Sequence, residues 1–240
     1  MNLKDKVVLV TGSGSGIGRK TSLVCAEYGA TVIALDINEE AAKLTEKMII
    51  DADGTAMAAK ADITDRVQVH TVIEDVIARF KKIDVLVNNA GSTRLGTMVD
   101  LEDSTYDFII NLNMKGPFIM STEVAKVMIP RRSGRIINIT SYCAVRGEFA
   151  NAPYCMAKAG IKMMTQVQAL ELGQYGISAV AIAPGDTNTE LLQDAFRKRA
   201  ELEGKTIEEV YAAAGKKVPM GRVGEPEDIA ELAAFMCSEK

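Results

Sequence analysis

The sequence has no tryptophan, few aromatic residues and no surplus of positive charge. Aromatic residues make up only 5% of the 240 residues, so few side chains are available to stack on nucleobases. The 28 basic and 32 acidic side chains leave a formal charge of −4, whereas nucleic-acid-binding domains usually carry a basic surplus. We therefore expect no nucleic-acid partner.

A single histidine, His70, limits the catalytic chemistry that the chain can support. An H-E-x-x-H zinc site needs two histidines on one helix, and a Ser-His-Asp or Cys-His mechanism would have to use His70 alone. His70 lies in a charged stretch of helical periodicity, residues 65–80, which predicts an exposed helix position. We expect no metal site, and a general acid or base other than histidine.

Cysteines and long apolar runs are also scarce. The four cysteines form no C-x-x-C pair and are too few for a disulfide scaffold in a chain of this length. No apolar run approaches the roughly 18 residues of a membrane span. Residues 1–10 carry charges ahead of a short apolar run, unlike a signal peptide. These features predict a cytoplasmic protein with no membrane partner.

Short apolar, β-branched segments alternate with longer segments of helical periodicity. This alternation indicates βαβ units and a parallel sheet covered by helices on both faces. No linker or repeat divides the chain, so the sequence predicts one α/β domain over residues 1–240, built on a doubly wound, Rossmann-type sheet. Strands are expected at residues 7–10, 31–35, 56–61, 85–87, 135–139 and 177–182.

Residues 104–129 form a helical segment that is apolar almost all round, and Pro117 is expected to bend it. A helix with so little polar face is buried on both sides. One side can cover the sheet, and the other meets either a second subunit or more of the same protomer's core. The first alternative predicts a homo-oligomer, a dimer or a tetramer.

A glycine-rich turn, Thr11 to Gly18, follows the first strand and opens a helix with the spacing T-G-x-x-x-G-x-G. Glycines let backbone N–H groups approach a pyrophosphate, and a helix N-terminus favours its negative charge. An ordinary turn is the alternative. Asp36 ends the second predicted strand, where a carboxylate can accept hydrogen bonds from ribose hydroxyls, or can cap the next helix. No Arg or Lys follows Asp36, which predicts NAD rather than NADP as the cofactor.

Polar residues follow two further strands. Asp62 comes after residues 56–61 and could meet the adenine amino group, although alone it is more typical of a turn or cap. Asn88-Asn89-Ala90-Gly91 suits the crevice at the carboxyl edge of the sheet. Asn and Gly are also common in ordinary turns.

Tyr154 and Lys158 are spaced so that on a helix they share one face, about 6 Å apart. A nearby ammonium stabilises tyrosinate and lowers the tyrosine pKa, which gives an acid/base group without histidine. Chance produces such a pair easily, so alone it is weak. Ser141, directly after residues 135–140, could hydrogen-bond the carbonyl that Tyr154 protonates.

In this order and spacing, the motifs resemble those of the short-chain dehydrogenase/reductase family, from residue 4 to residue 238. They are Thr11–Gly18, Asp36, Asp62, Asn88–Gly91, Asn113, Ser141, Tyr154, Lys158 and Pro184-Gly185.

The resemblance implies a role for each catalytic candidate. Tyr154 is the proton donor or acceptor, Lys158 tunes Tyr154 and holds the nicotinamide ribose, and Ser141 orients the substrate carbonyl. Asn113 disrupts its helix and holds a water that links Lys158 to solvent. The implied cofactor site consists of Gly12, Ser15, Gly16, Ile17, Gly18, Asp36, Ile37, Asp62, Ile63, Asn89, Ala90, Gly91, Tyr154, Lys158, Pro184, Gly185, Thr187 and Thr189.

The implied activity is hydride transfer between NAD(H) and a secondary alcohol or ketone, such as a polyol, a sugar or a similar small carbonyl compound. One alternative is a 3-oxoacyl thioester reductase whose acidic carrier protein docks on the basic residues 128–132, although such enzymes commonly use NADPH. The other is an NAD-binding sensor without turnover, which would be expected to lose Ser141, Tyr154 or Lys158.

The substrate pocket is expected to be lined by residues 92–95, 143–149 and a lid at 186–217, with Arg94, Arg146 and Glu148 near its mouth. Thr187 departs from the Ile or Val usual in the family. The family normally continues into a final strand that helps to form a tetramer interface. This chain stops at Lys240, which predicts an exposed sheet edge.

Overall fold

Six parallel strands form one sheet in the spatial order β3-β2-β1-β4-β5-β6. The computed structural model describes residues 1–238, so residues 239 and 240 of the predicted domain lie outside it. Every predicted strand is present, with its ends within one residue of the prediction. The strands are β1 (Val7–Thr11), β2 (Thr31–Asp36), β3 (Thr55–Lys60), β4 (Val85–Asn88), β5 (Gly134–Ile139) and β6 (Ile177–Ile182).

Helices cover both faces of the sheet, as the two-sided apolar strands require. They are α1 (Gly16–Glu27), α2 (Glu39–Asp51), α3 (Arg66–Phe80), α4 (Asp103–Ile110), α5 (Gly116–Met128), α6 (Ala152–Leu172), α7 (Glu190–Glu203), α8 (Ile207–Lys217) and α9 (Pro226–Cys237). Apolar residues of α3 and α5 pack on one face, and those of α1 and α9 pack on the other. This confirms the predicted α/β fold with a Rossmann-type parallel sheet.

The order of the strands reverses between β1 and β4, which are hydrogen-bonded neighbours. A crevice opens at such a point, beyond the carboxyl ends of the strands. Thr11, the last residue of β1, fixes the mouth of this crevice, because its Oγ1 accepts hydrogen bonds from the backbone N–H groups of Asn89 and Ala90, both at 3.0 Å. The loops after β1 and β4 are thereby held together.

The apolar segment 104–129 is not one bent helix. A π-helical segment, Asn111–Lys115, separates α4 from α5. Asn113 Nδ2 donates to the Ile109 carbonyl at 2.9 Å and to the Ser92 carbonyl at 2.8 Å. Pro117 lies in the first turn of α5, where a missing N–H is tolerated. The prediction for Pro117 was therefore wrong, since the deformation precedes it and surrounds Asn113.

The outer side of this segment is not covered within the protomer: Phe118 is 53% exposed. The predicted burial on both sides is therefore incomplete in a single chain.

Residues 186–217 contain α7 and α8, which pack through a small apolar cluster of their own around Phe196. The Phe196 and Tyr211 rings meet edge to face, with centroids 5.8 Å apart. Among residues 1–238, β3 and β6 are the two edge strands of the sheet. None of the helices described is both long and apolar enough to cross a bilayer.

Candidate active site

The glycine turn brings backbone N–H groups to the crevice. Gly12 and Gly16 have φ angles of +64° and +51°, which favour a residue without Cβ. A Cβ on Gly18 would lie 2.0 Å from the Gly12 carbonyl oxygen, so the start of α1 can pack this closely only with glycine there. Ser15 precedes α1 and makes no side-chain cap. The first N–H groups of α1 are therefore left for an anion.

Asp36 lies beside this turn at the end of β2. Its Oδ2 accepts a hydrogen bond from the Gly14 N–H at 2.8 Å, and its Oδ1 accepts one from the Asn38 N–H at 2.9 Å. Asn38, and not Asp36, caps α2. The carboxylate and the neighbouring Ile37 both line the crevice. The helix-cap alternative for Asp36 is therefore wrong, and its acceptors are directed to the turn and the crevice.

The adenine-side candidates have local structural roles as well. Asp62 Oδ1 accepts hydrogen bonds from Thr64 N and Thr64 Oγ1, both at 2.8 Å, so it does form the turn that the sequence offered as an alternative. Ile63 is buried and leaves no room for a Cβ on Gly116. Asp62 and Ile63 nevertheless both line the crevice.

The loop after β4 lies against the glycine turn. Asn89 Nδ2 donates to the carbonyls of Thr11 and Gly12 at 3.0 and 3.2 Å. A Cβ on Gly91 would lie 2.6 Å from Asn113 Oδ1, so Gly91 allows Asn113 to approach. Asn89, Ala90 and Gly91 line the crevice.

Ser141, Tyr154 and Lys158 meet at one end of the same crevice. Ser141 is buried after β5, and its Oγ accepts a hydrogen bond from the Cys143 N–H at 3.1 Å. Tyr154 and Lys158 lie on α6, and Lys158 Nζ is 5.4 Å from the centre of the Tyr154 ring. Nζ donates to the Ile139 carbonyl at 2.9 Å. Asn113 lines the same end of the crevice.

The acidity expected of Tyr154 is not found in the structure. Burial raises the pKa of Tyr154 above its usual value, and the hydrogen-bond interaction with Ser141 opposes that rise only in part. Burial also lowers the pKa of Lys158 to about 8. The ammonium is directed to the Ile139 carbonyl and does not offset the desolvation of the phenol, so the predicted lowering of the Tyr154 pKa was wrong.

Residues after β6 cross the mouth of the crevice. Pro184, Gly185, Thr187 and Thr189 all line it. Thr187 Oγ1 donates to the Gly185 carbonyl at 3.1 Å. Thr189 caps α7 and lies against the glycine turn, because a Cβ on Gly16 would be 3.2 Å from Thr189 Cγ2. The start of the predicted lid is thus in contact with the glycine turn.

The rest of the wall differs in part from the prediction. Neither arginine lines the crevice itself: Arg146 is exposed, and the Arg94 guanidinium lies 4.3 Å from the centre of the ring of Phe108, which does line it. Glu148 does line it, and it forms an ion pair with Arg199 of α7. Asp186, the first residue of the predicted lid, also lines it, although no motif in the sequence singled out its side chain.

A dinucleotide fits the residues that are present. The cavity of about 710 Å³ extends from the glycine turn past Asp36 to Ser141 and Tyr154, within the roughly 300–1,000 Å³ typical of ligand sites. The uncapped start of α1 suits a pyrophosphate, and Asp36 has lone pairs left for ribose hydroxyls. No cluster of metal-ligating side chains was found among residues 1–238.

Comparison with known proteins bears on this site. The sequence profile described as short chain dehydrogenase matches residues 6–200. The chain is similar to 3-oxoacyl-(acyl-carrier-protein) reductase FabG of Thermotoga maritima, with 36% identity over 100% of this chain and 93% of the relative. It is 39% identical to galactitol 2-dehydrogenase of Agrobacterium fabrum over 99% of this chain and 92% of the relative. An NAD+-bound xylitol dehydrogenase structure matches with a TM-score of 0.96 and 29% identity, covering 100% of this chain and 94% of that one.

Proposed function

The chain belongs to the short-chain dehydrogenase family, an oxidoreductase family that acts on CH–OH and C=O groups, and we propose that it transfers a hydride between NAD(H) and a small secondary alcohol or ketone. The observation that carries this proposal is that Ser141, Tyr154 and Lys158 line the same cavity as the glycine turn and Asp36. The bound cofactor supplies the hydride acceptor or donor. The protein supplies orientation and moves the proton.

In the proposed reaction, Tyr154 Oη exchanges a proton with the oxygen of the substrate's reacting carbon. Ser141 Oγ donates a hydrogen bond to that same oxygen and so fixes its position. Lys158 Nζ, held by the Ile139 carbonyl, would supply the positive charge that holds the ribose of the nicotinamide half. Asn113 keeps the π segment open beside Lys158, which supports its assignment as the holder of a water for proton exchange.

Asp36 supports NAD over NADP. Its carboxylate is fixed by the N–H groups of Gly14 and Asn38 and faces the crevice, where it can accept hydrogen bonds from ribose hydroxyls and would repel a 2′-phosphate. The residue that follows it, Ile37, is 65% exposed and carries no charge to receive a phosphate.

We also propose that the protein is a homo-oligomer, a dimer or a tetramer, located in the cytoplasm. The exposed apolar side chains Phe118, Met163 and Leu170 on α5 and α6 support association. The four free cysteines support a reducing compartment. The segment 186–217 is proposed as the substrate lid, because Thr189 touches the glycine turn and Arg199 touches the opposite wall of the cavity.

A second candidate is reduction of a 3-oxoacyl thioester, which the similarity to the Thermotoga maritima reductase favours. The proposed carrier-docking arginines do not support it. Arg131 Nη2 is paired with Asp84 Oδ1 at 3.0 Å, and Arg132 Nη2 donates to the Gln174 carbonyl at 2.8 Å. Both arginines precede β5 and therefore lie at the amino-terminal ends of the parallel strands, whereas the cavity lies at their carboxyl ends.

The test is a panel of secondary alcohols, polyols, sugars and 3-oxoacyl thioesters, each assayed with NAD+, NADH, NADP+ and NADPH. We expect NAD+-linked oxidation of a polyol or related alcohol. Preferred reduction of a thioester with NADPH would support the second candidate and contradict the role of Asp36. Cofactor binding without turnover of any compound would contradict the oxidoreductase proposal and favour a sensor.

A further inference from the structure

One carboxylate in the cavity wall is short of hydrogen-bond donors. Asp186 follows Pro184-Gly185 and is partly buried. Tyr142 Oη is its one side-chain donor among residues 1–238, at a long 3.5 Å from Asp186 Oδ1. Tyr142 has a single hydroxyl proton, and the same hydroxyl is closer to Glu148 Oε1, at 3.1 Å. Asp186 therefore has several acceptor positions left for a molecule in the cavity.

The neighbouring carboxylate, Glu148, is in the opposite situation. Besides the hydroxyl of Tyr142, it accepts hydrogen bonds from Asn151 Nδ2 at 2.9 Å and from Cys143 Sγ at 3.4 Å. It also forms an ion pair with Arg199, whose side chain, like that of Glu148, is only 15% exposed. The protein thus holds Glu148 rigidly as a charged group and leaves little of it for a substrate.

This wall has an excess of negative charge. Glu148 and Asp186 face one guanidinium, Arg199, which is already paired with Glu148. Burial raises the pKa of Asp186, and the charge of Glu148 raises it further, while Arg199 and Lys217 oppose these effects. This upward shift of the Asp186 pKa is the direction expected of a carboxylate that lacks hydrogen-bond donors and lies beside a fixed negative charge.

We propose that Asp186 selects a neutral substrate with a second hydroxyl next to the reacting carbon, by accepting a hydrogen bond from that hydroxyl. The inference rests on the proposed oxidoreductase function and names the substrate class of the same site. A vicinal diol brings the missing donor to Asp186. Glu148 binds both Arg199 and Tyr142, so it takes up the donors nearest to Asp186.

The same geometry disfavours two other substrate classes. An alkyl group in place of the second hydroxyl would cover Asp186 without giving it a donor, and a buried polar group that loses its partner is costly. A site built to bind a hydroxyl rejects an analogue that lacks it. A substrate carboxylate would meet the excess negative charge of the wall, and Arg199 is already engaged by Glu148.

The experiment compares three four-carbon secondary alcohols: 2,3-butanediol, 2-butanol and 3-hydroxybutyrate, each with all of its stereoisomers and NAD+. For the unchanged protein we expect kcat/KM for the diol to exceed that for 2-butanol by at least about tenfold and that for 3-hydroxybutyrate by at least about a hundredfold. Asp186→Ala should reduce the preference for the diol over 2-butanol to near unity. Asp186→Asn should improve 3-hydroxybutyrate relative to the diol by about tenfold.

Asp194→Asn is the matched control, because Asp194 is an exposed acid on α7 that pairs with Arg197 away from the cavity. It should leave all three ratios unchanged. A preference of the unchanged protein for 3-hydroxybutyrate would overturn the inference. So would ratios that stay constant, within about twofold, in both Asp186 variants.

A second readout separates this inference from the proposed function. The three compounds are titrated calorimetrically into Tyr154→Phe protein saturated with NAD+, so that binding is measured without turnover. Tighter binding of the diol, lost in the Tyr154→Phe/Asp186→Ala protein, supports the inference even where the unchanged protein turns over none of the compounds. That absence of turnover would count against the proposed function alone. Turnover without selective binding, or no binding of the diol, overturns the inference.

Discussion

Replacing Lys158 by methionine tests whether the buried ammonium destabilises the fold. Burial lowers the pKa of Lys158 from its usual 10.5 to about 8. At about 1.4 kcal/mol per pKa unit, keeping it protonated at pH 7 costs about 3 kcal/mol. Lys158→Met removes this cost, but it also leaves the Ile139 carbonyl without its donor, which costs about 1–3 kcal/mol. At pH 7 the variant should therefore be as stable as the original protein or more stable, while it loses activity.

The dependence on pH isolates the charge. Because the pKa in the folded protein lies below that in the unfolded chain, the unfolded chain binds more protons between about pH 8 and pH 10.5. The original protein therefore gains stability as the pH rises through this range. The free-energy cost of the buried Lys158 ammonium falls from about 3 kcal/mol at pH 7 to about 1 kcal/mol at pH 10. The free energy of unfolding of Lys158→Met, relative to that of the original protein, should therefore fall by about 2 kcal/mol over this range.

The assay is urea unfolding of both proteins at pH 7, 8, 9 and 10, at equal protomer concentration and without cofactor. Groups other than Lys158 titrate in both proteins and cancel in the difference. Lys162→Met is the control, since Lys162 is exposed on the same helix, and its difference from the original should not follow this curve. A stability difference for Lys158→Met that stays constant from pH 7 to pH 10 would refute the reasoning.

Two further substitutions test the cofactor site. Asp36→Ala should weaken NAD binding about tenfold or more, because hydrogen bonds from ribose hydroxyls to a charged group are lost. It should also raise the kcat/KM ratio of NADP+ over NAD+ by at least about a hundredfold. An unchanged ratio would contradict the role of Asp36. Gly18→Ala places a Cβ 2.0 Å from the Gly12 carbonyl oxygen, so calorimetry should detect no NAD binding and Tm should fall. Gly173→Ala is the control, because a Cβ there meets open space, and it should change neither NAD binding nor Tm.

The fold could be predicted from the sequence to a large extent because its strands are apolar on both faces. Each strand forms a short β-branched run between helical segments, and that local pattern located all six strands of the described chain. The division of residues 104–129 could not be predicted in this way. The π segment depends on Asn113, whose amide bonds the Ser92 carbonyl across 21 positions of the sequence, and local periodicity carries no signal for such a contact.

In the candidate site, too, features that depend on local sequence could be predicted and contacts between distant residues could not. The glycine turn, Asp36, Ser141, Tyr154 and Lys158 follow a strand or share a helix face, so their order in the sequence indicated where they meet. The pairing of Glu148 with Arg199 joins residues 51 positions apart, and only the folded chain shows that it leaves Asp186 short of donors. The acidity of Tyr154 was mispredicted because spacing indicates the nearby lysine but not the desolvation that outweighs it.

The most direct test of the account is the single-turnover rate of NADH formation by Tyr154→Phe protein. Phenylalanine fills the same space on α6 and lacks only the hydroxyl that would move the proton. With saturating NAD+ and a turned-over alcohol, the rate should fall about 10²–10⁴-fold, while the dissociation constant of NAD+ stays within about threefold. A rate close to that of the unchanged protein would contradict the central claim that Tyr154 is the acid and base of the reaction.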